Sequence, residues 1–295
     1  MATLIAADAG VELARQAEAV AKLLPAAGEF KWLAPDLALD LAFEAASEDL
    51  PHLRQAVAAA RPKGLALDIV LQPAAGRRKK LLLADMDSTM IGQECIDELA
   101  DFAGLKPMVA AITERAMRGE LAFEPALRER VALLKGLPLG VVDEVLAERI
   151  TLTPGGRTLV ATMKAHGGTC VLVSGGFTLF TAPVAAKLGF DENRGNSLLI
   201  ENDRLSGFVA DPILGREAKL AALHNLRQRL GLSASETLAI GDGANDLGMI
   251  GDAGLGLAFH AKPAVAAAAG GRIDHNDLTA VLFIQGYRAD EFTGG

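Results

Sequence analysis

The chain has 295 residues, and at about 150 residues per domain this length predicts two domains or one domain with a large insertion. Hydrophobic residues make up 51% and charged residues 22%, which excludes a disordered chain. The 29 Lys and Arg residues against 37 Asp and Glu residues leave a net charge of −8. This balance argues against general nucleic-acid binding, because such proteins need a basic face that neutralises phosphates.

The sequence carries no signal for a membrane or for export. No run of about 18 apolar residues is present, so we expect no spanning helix. Residues 1–15 lack a basic segment followed by an apolar one, so we expect no secretory signal. Cys95 and Cys170 lie far apart without CxxC spacing, which favours packed thiols in a reducing compartment. We therefore expect a cytoplasmic protein. The sequence does not decide its oligomeric state, for which a homodimer is one candidate.

Residues 1–72 are predicted to form one domain. Apolar runs at residues 3–7 and 29–33, the period of two at 37–43 and the run at 65–71 indicate strands. Leu13, Ala17 and Val20 recur at helical spacing, and Leu50, Leu53 and Val57 do so again. The resulting order βαββαβ is the ferredoxin-like arrangement. It resembles the ACT-type regulatory domains in architecture, although no ligand motif is present, and a packing or dimerisation module is the favoured interpretation.

Residues 73–80 are predicted to be a linker. The linker ends in a basic run, Arg77, Arg78, Lys79 and Lys80. This run could form an anion-binding patch, but a solvated linker before a buried strand is the interpretation that we favour.

Residues 81–295 are predicted to form a Rossmann-like parallel α/β core. A strand at 81–84 precedes about four helices at residues 93–150, where Gly104, Gly119 and Gly136 mark helix ends. Strands at 169–173, 237–240 and 254–259 then alternate with helices, which is typical of a parallel sheet. Asn202-Asp203 marks a hairpin between two further short strands. The helical block is therefore an insertion into the core.

Three polar clusters directly follow apolar strands. They are Asp85-Met86-Asp87-Ser88-Thr89, Ser174-Gly175-Gly176-Phe177 and Gly241-Asp242-Gly243-Ala244-Asn245-Asp246. In open parallel sheets, ligands bind at the carboxyl ends of the strands. Each cluster alone is a weak signal, but the ordered set predicts a phosphate or metal site.

DMDST, VSGGF, the lysine of GREAK (Lys219) and GDGAND resemble, in order and spacing, the four motifs of the haloacid dehalogenase superfamily of phosphatases. IGQEC with Glu94, the segment containing Arg130, and FHAKP extend the resemblance to the phosphoserine phosphatases of that superfamily. The resemblance covers about residues 80–285. Met86 departs from the phenylalanine of many relatives, at a position where the side chain only packs.

The resemblance implies a covalent mechanism. Asp85 is the implied nucleophile, which forms an aspartyl-phosphate, and Asp87 is the implied general acid and base. Mg²⁺ is the implied cofactor, held by the Asp85 carboxylate, the Asp87 backbone carbonyl and the Asp242 carboxylate. Asp246 is implied to orient the water shell of the metal.

The resemblance also assigns the phosphate and substrate contacts. Ser174 and the amides of Gly175 and Gly176, at the start of the following helix, are implied to hold phosphoryl oxygens. Lys219 would be shared between Asp85 and the phosphate, and Asn245 would hydrogen-bond nearby.

Substrate choice is expected to lie in the helical insertion, which resembles a cap. Glu94 is implied to pair with the ammonium of phosphoserine, and Arg130 with its carboxylate. Arg128 should face a different side of the helix and serve as an internal control. Met117 and Phe123 are expected either in the pocket wall or in the core.

The resulting expectation is a Mg²⁺-dependent phosphoserine phosphatase. The alternatives are another small-molecule phosphomonoesterase, a phosphotransferase that uses an alcohol, or an amino-acid sensor with a vestigial phosphatase core. ATP and NAD are not expected, because neither GxxxxGK[ST] nor a GxGxxG after a strand is present.

Overall fold

The computed structural model describes residues 1–8, 11–61, 64–117 and 120–294, with only the backbone described at Met117. Residues 2–71, here called the N-terminal unit, form an antiparallel sheet with two helices. The elements are β1 (Ala2–Ala6), α1 (Leu13–Ala21), β2 (Phe30–Ala34), β3 (Ala38–Leu41), α2 (Leu50–Ala60) and β4 (Leu67–Leu71). The strand order β2-β3-β1-β4 confirms the predicted ferredoxin-like arrangement.

Strands β1, β3 and β4 of this sheet are buried on both faces, whereas the edge strand β2 is largely exposed. Successive residues of a buried strand point to opposite faces. Leu4 and Leu39 pack with Leu13 and Val57 of the two helices. Ile5, one residue along from Leu4, belongs instead to the core of the second sheet. The N-terminal unit therefore packs its second face against the rest of the chain.

The remaining residues form a six-stranded parallel sheet, here called the central sheet, with order β12-β11-β10-β5-β6-β7. Its strands are β5 (Leu81–Ala84), β6 (Thr169–Phe177), β7 (Glu192–Asn196), β10 (Thr237–Gly241), β11 (Leu255–Phe259) and β12 (Gly271–Ile273). Helices cover both faces: α7 (Gly156–Ala165), α8 (Thr178–Leu188) and α12 (Ala280–Ile284) on one, and α9 (Arg216–Arg229), α10 (Leu247–Asp252) and α11 (Pro263–Ala268) on the other. The predicted Rossmann-like core is confirmed.

A helical insertion follows β5, as predicted. It contains α3 (Cys95–Phe102), α4 (Lys106–Met117), α5 (Phe123–Leu133) and α6 (Gly140–Glu148), and a hairpin of β8 (Leu198–Glu201) and β9 (Arg204–Val209) packs on α5. Gly104 and Gly136 have φ of 71° and 85° shortly after helices, the left-handed backbone predicted for them. Gly119 lies outside the described residues. Asn202 and Asp203, with φ of 51° and 58°, make the predicted hairpin turn.

Residues 73–76, Arg78 and Lys80 of the predicted linker are exposed, but Arg77 and Lys79 are not solvated as predicted. Arg77 donates to both carboxylate oxygens of Asp40, at 2.5 and 2.9 Å, and each side chain is only 10% exposed. It also donates to the backbone carbonyl of Ile284. Lys79 is buried, and its Nζ donates to the backbone carbonyl of Ser235 at 2.7 Å. Arg77 therefore joins the N-terminal unit to α12, and carboxylate and carbonyl oxygens replace the water that the charges of Arg77 and Lys79 would otherwise need.

Among the described helices, none combines the length and the apolar character that crossing a bilayer requires. Cys95 and Cys170 are both buried and have free thiols, as predicted.

Candidate active site

The three polar clusters meet at one edge of the central sheet. Strands β10, β5 and β6 are adjacent and parallel, so their carboxyl ends lie side by side. A cavity of about 280 Å³ opens there. It is lined by Asp85, Asp87, Glu94, Ile96, Phe123, Leu127, Arg130, Ser174, Gly175, Gly176, Phe177, Asp242, Gly243, Ala244, Asn245 and Lys262. The structure thus brings together the predicted site residues, while Lys219 and Asp246 are fully buried beside the cavity.

Lys219 joins two carboxylates in the wall of this cavity. Its Nζ lies 2.6 Å from Asp85 Oδ1 and 2.7 Å from Asp246 Oδ1. Burial raises the pKa of Asp85 well above its ordinary value, and the Asp246 charge adds to this shift while Lys219 opposes it. The site therefore holds more negative than positive charge, which favours the binding of a cation.

Glycine at position 241 is required by the close approach of Asp246. A Cβ atom on Gly241 would lie 2.3 Å from Asp246 Oδ2, a contact that side chains do not make. The same Oδ2 accepts a hydrogen bond from the Gly243 amide at 3.1 Å. The motif therefore uses glycine to admit the carboxylate that Lys219 binds.

Asp87 lies in the turn Met86–Met90 that follows β5, and its own backbone is extended. Its carboxylate accepts hydrogen bonds from the Cys95 amide at 3.0 Å and from the Ser174 hydroxyl at 3.2 Å. A Cβ on Gly176 would lie 2.8 Å from Asp87 Oδ2, so glycine is needed there as well. Burial raises the pKa of Asp87, although these hydrogen bonds oppose the shift. A carboxyl group in this environment is suited to carrying a proton.

Ser174, Gly175 and Gly176 lie in the last residues of β6, which corrects their predicted position at a helix start. Helix α8 begins only at Thr178. The pairing of β6 with β7 shifts register between Val173 and Phe177, so the strand is irregular at this motif. The Gly176 amide donates to Ser174 Oγ at 2.8 Å and fixes that hydroxyl.

Glu94 and Arg130 enter the same cavity from the helical insertion. The Glu94 carboxylate accepts a hydrogen bond from the Ser88 hydroxyl at 2.9 Å. Burial, together with the nearby negative charge of Asp87, raises the pKa of Glu94 to about 7. Arg130, on α5, donates through Nε to the Ala126 carbonyl at 3.3 Å. The helical insertion therefore contributes one carboxylate and one guanidinium to the cavity that Asp85 lines.

Arg128 points elsewhere, as predicted. It forms an ion pair with Asp211 on the exposed surface, whereas Arg130 lines the cavity. Phe123 belongs to the cavity wall, and a Cβ atom on Gly215 would lie 3.2 Å from its ring. The side chain of Met117 lies outside the described residues.

The acidic residues of the cavity fit a small divalent cation. Asp85, Asp242 and Asp246 can each place one carboxylate oxygen within 4.8 Å of the others. Burial, reinforced by Asp246, raises the pKa of Asp242, and the hydrogen bond from Thr89 at 3.2 Å opposes this shift. Hard oxygen donors with an uncompensated negative charge are the ligand set that Mg²⁺ prefers.

Lys262 also lines the cavity, and the sequence reasoning gave it no role. It follows the end of β11, the neighbour of β10 in the central sheet. The rule that ligands bind at the carboxyl ends of parallel strands could have identified Lys262, because FHAKP lies at the carboxyl end of β11.

Comparisons with known proteins agree with this arrangement. The family model of haloacid dehalogenase-like hydrolases matches residues 82–250. A Mycobacterium tuberculosis protein named phosphoserine phosphatase SerB2 is 45% identical over 217 residues, covering 74% of this chain and 53% of that protein. A Polaromonas protein named phosphoserine phosphatase is 48% identical over 191 residues, covering 63% of this chain and 81% of the relative.

Solved structures give the same result for the fold. The crystal structure of a HAD family hydrolase from Salmonella enterica serovar Typhi superposes with a TM-score of 0.85 and 29% identity, covering 98% of both chains. The chain spans 53 to 64% of the length of three curated relatives, so similarity to them does not extend over their whole length. The match to the family model, over more than half of the chain, decides the assignment. The chain belongs to the haloacid dehalogenase-like hydrolases.

Proposed function

We propose that this protein is a Mg²⁺-dependent phosphoserine phosphatase, which hydrolyses O-phospho-L-serine to L-serine and inorganic phosphate. The observation that carries the proposal is the shared cavity of Asp85, Glu94 and Arg130. Phosphoserine has a phosphate, an ammonium and a carboxylate, and this cavity offers a matching group to each. Relatives at 42 to 48% identity that bear the name phosphoserine phosphatase support this substrate.

Asp85 is the proposed nucleophile. Its carboxylate oxygen attacks phosphorus, the bond from phosphorus to the serine oxygen breaks, and the leaving oxygen takes the proton of Asp87. Asp87, now ionised, then removes a proton from water, which attacks the aspartyl-phosphate and releases phosphate and Asp85. Splitting the reaction in this way replaces one difficult displacement by two easier ones. The raised pKa of Asp87 supports its first role, since an acid must hold its proton near neutral pH.

The Asp85 carboxylate, the Asp87 backbone carbonyl and the Asp242 carboxylate would hold Mg²⁺, with Asp246 orienting its water shell. When bound, the ion would neutralise negative charge on the phosphate. Lys219 holds Asp85 in place through the 2.6 Å contact and lowers the cost of burying it. Asn245, the Ser174 hydroxyl and the amide of Gly175 would contact phosphoryl oxygens, while the Gly176 amide orients Ser174.

Glu94 and Arg130 would select the substrate. Glu94 would accept hydrogen bonds from the ammonium, and Arg130 would bind the carboxylate as a bidentate partner. A phosphotransferase that passes the phosphoryl group to an alcohol would use the same intermediate. We favour hydrolysis because of the names of the relatives, and product analysis with and without an alcohol distinguishes the two.

For the N-terminal unit we propose an ACT-like domain at residues 1–72, joined through residues 73–80 to a phosphatase domain at 81–295 that carries the insertion at about 93–150. The contacts of Arg77 with Asp40 and Ile284 support a packing role for this domain. Cytoplasmic location is proposed with it, from the burial of both free thiols.

Phosphate release from L-phosphoserine and from a panel of other small phosphomonoesters tests this function. With Mg²⁺, we expect phosphoserine to have the largest kcat/KM. Chelator should reduce turnover of every ester to background, because Asp85, Asp242 and the phosphate would then repel one another without a compensating cation. Added Mg²⁺ should restore the rate. Metal-dependent release without preference for phosphoserine would contradict the substrate, and the absence of release from any ester would favour the sensor alternative.

A further inference from the structure

Lys262 lines the cavity, and this cation has no role in the reaction proposed above. It immediately precedes α11, its side chain is exposed, and it lines the cavity together with Asp242 and Asn245. Its backbone amide donates to the Asp242 carbonyl at 3.3 Å, which ties the lysine to the motif on β10. Among the described residues, no carboxylate forms an ion pair with Lys262, and Asp242 is the carboxylate on which its charge acts. Its charge is therefore available to a ligand.

The charges around the cavity show why another cation is useful. Four carboxylates line it, those of Asp85, Asp87, Glu94 and Asp242, and the cations among its lining residues are Arg130 and Lys262. Lys219 is fully buried outside the lining and already contacts two carboxylates. A phosphate dianion that approaches this opening meets a negative rim, and Arg130 is assigned to the substrate carboxylate. Lys262 is the remaining cation in the lining that it shares with the predicted phosphate contact, Asn245.

The loop that carries Lys262 is fixed from behind. His260 has φ of 43°, a left-handed backbone that only a few residue types adopt readily. Its Nε2 donates to the Asn276 carbonyl at 3.0 Å, and its backbone amide donates to the Ile273 carbonyl at 2.8 Å. The His260 ring packs edge-on against Phe259, with 4.3 Å between the ring centroids. The path of the chain into Lys262 is therefore set by His260 and its partners.

The support of this loop begins in the N-terminal unit. Asp68, on β4, is 1% exposed, and its carboxylate accepts hydrogen bonds from the backbone amides of Asp274, His275 and Asn276. It also accepts one from Asn276 Nδ2 at 2.8 Å. Since the Asn276 carbonyl accepts from His260, hydrogen bonds connect Asp68 with the Lys262 loop.

We propose that Lys262 captures the phosphate group of the incoming substrate, and that Asp68 positions Lys262 through Asn276 and His260. The proposal rests on the proposed function for the identity of the substrate, but it applies to any phosphate dianion that enters this cavity. It gives the N-terminal unit an indirect part in substrate binding: Lys262 binds, while His260 and Asp68 are positioning residues.

Binding of inorganic phosphate to the full chain with Mg²⁺, measured by calorimetry beside phosphatase kinetics, tests the capture role. Lys262→Ala should raise the phosphate Kd, and the KM of phosphoserine and of a plain aryl phosphate alike, by about tenfold, the size of one partly screened charge contact. The kcat should change less than about twofold. Added salt should weaken binding to the parent protein more than to the variant. Lys262→Arg should retain most of the affinity, and Lys187→Ala, at the far end of α8, should change nothing.

Unchanged phosphate affinity in Lys262→Ala would overturn the capture role. Phosphate that binds as expected to a protein without phosphoserine turnover would instead reject the proposed function and leave the capture role intact. The two failures are therefore distinguishable.

A double-mutant cycle tests the positioning step. His260→Asn keeps a residue type that tolerates positive φ, but it removes the imidazole Nε2 that donates to the Asn276 carbonyl. It should raise the phosphate Kd about threefold in the parent protein and have almost no further effect in Lys262→Ala. Asp68→Asn should behave in the same way. If Asp68→Asn does not fold, His260→Asn still tests the positioning role. Equal effects in both backgrounds, or no effect in the parent, would reject the positioning role.

Discussion

Replacing Asp85 by asparagine is expected to reduce phosphoserine turnover by at least about 10⁴-fold, the scale seen when a covalent nucleophile is removed. An amide cannot form the acyl phosphate, and no other described carboxylate occupies this position at the end of β5. The measurement is steady-state phosphate release with Mg²⁺ present. Asp143→Asn, on the exposed side of α6, is the matched control and should retain full activity.

The same replacement should leave the fold intact. Burial and the Asp246 charge raise the pKa of Asp85, so keeping this carboxylate ionised costs the folded protein free energy. Removing that charge therefore relieves repulsion, and Lys219 keeps its contact with Asp246. We expect a melting temperature within about 3 °C of the parent protein. Substantial residual turnover in a folded variant would contradict the assignment of Asp85 as nucleophile.

Replacing Arg130 by alanine is expected to reduce kcat/KM for phosphoserine by about 10- to 150-fold, since a charge-assisted hydrogen bond contributes about 1.5 to 3 kcal/mol. For an aryl phosphate that lacks the amino-acid carboxylate, the loss should be less than about threefold. The comparison of the two substrates separates recognition of the carboxylate from damage to the cavity, because both esters use Asp85.

Arg128 supplies the control for this experiment. It lies two residues from Arg130 on the same helix, but it pairs with Asp211 at the exposed surface. Arg128→Ala should leave both substrates unaffected, because an exposed ion pair contributes little. Equal losses for phosphoserine and the aryl phosphate in Arg130→Ala would assign Arg130 a structural role.

The sequence predicts much of this site because strand ends in a parallel sheet converge. Ser174 and Asp242 are 68 residues apart along the chain, and Asp85 and Asp242 are 157 residues apart. Each of the three nevertheless directly follows an apolar strand. Burial on both faces explains why the strands of the central sheet are continuous apolar runs: Leu81 and Leu83 face one layer of helices, while Leu82 and Ala84 face the other. Local patterns of this kind are set by the residues themselves.

Other features depend on partners that are distant in sequence. The side chain of Arg77 is buried because Asp40 and Ile284 supply acceptors from two different parts of the chain. The edge strands β7 and β12 contain few apolar residues and are strands because a neighbouring strand pairs with them. The need for glycine at position 241 arises from the Asp246 side chain, five residues away. Spacing and periodicity do not encode such contacts.

The most direct test of the account is a single-turnover reaction of the Mg²⁺-loaded protein with phosphoserine labelled in the phosphate group, quenched with acid over time. We expect serine to be released first, with label passing through the protein before it appears as inorganic phosphate. Peptide mapping should place the protein-bound label on Asp85. Label on another residue, or phosphoserine that stays intact while the protein is folded and metal-loaded, would contradict the account.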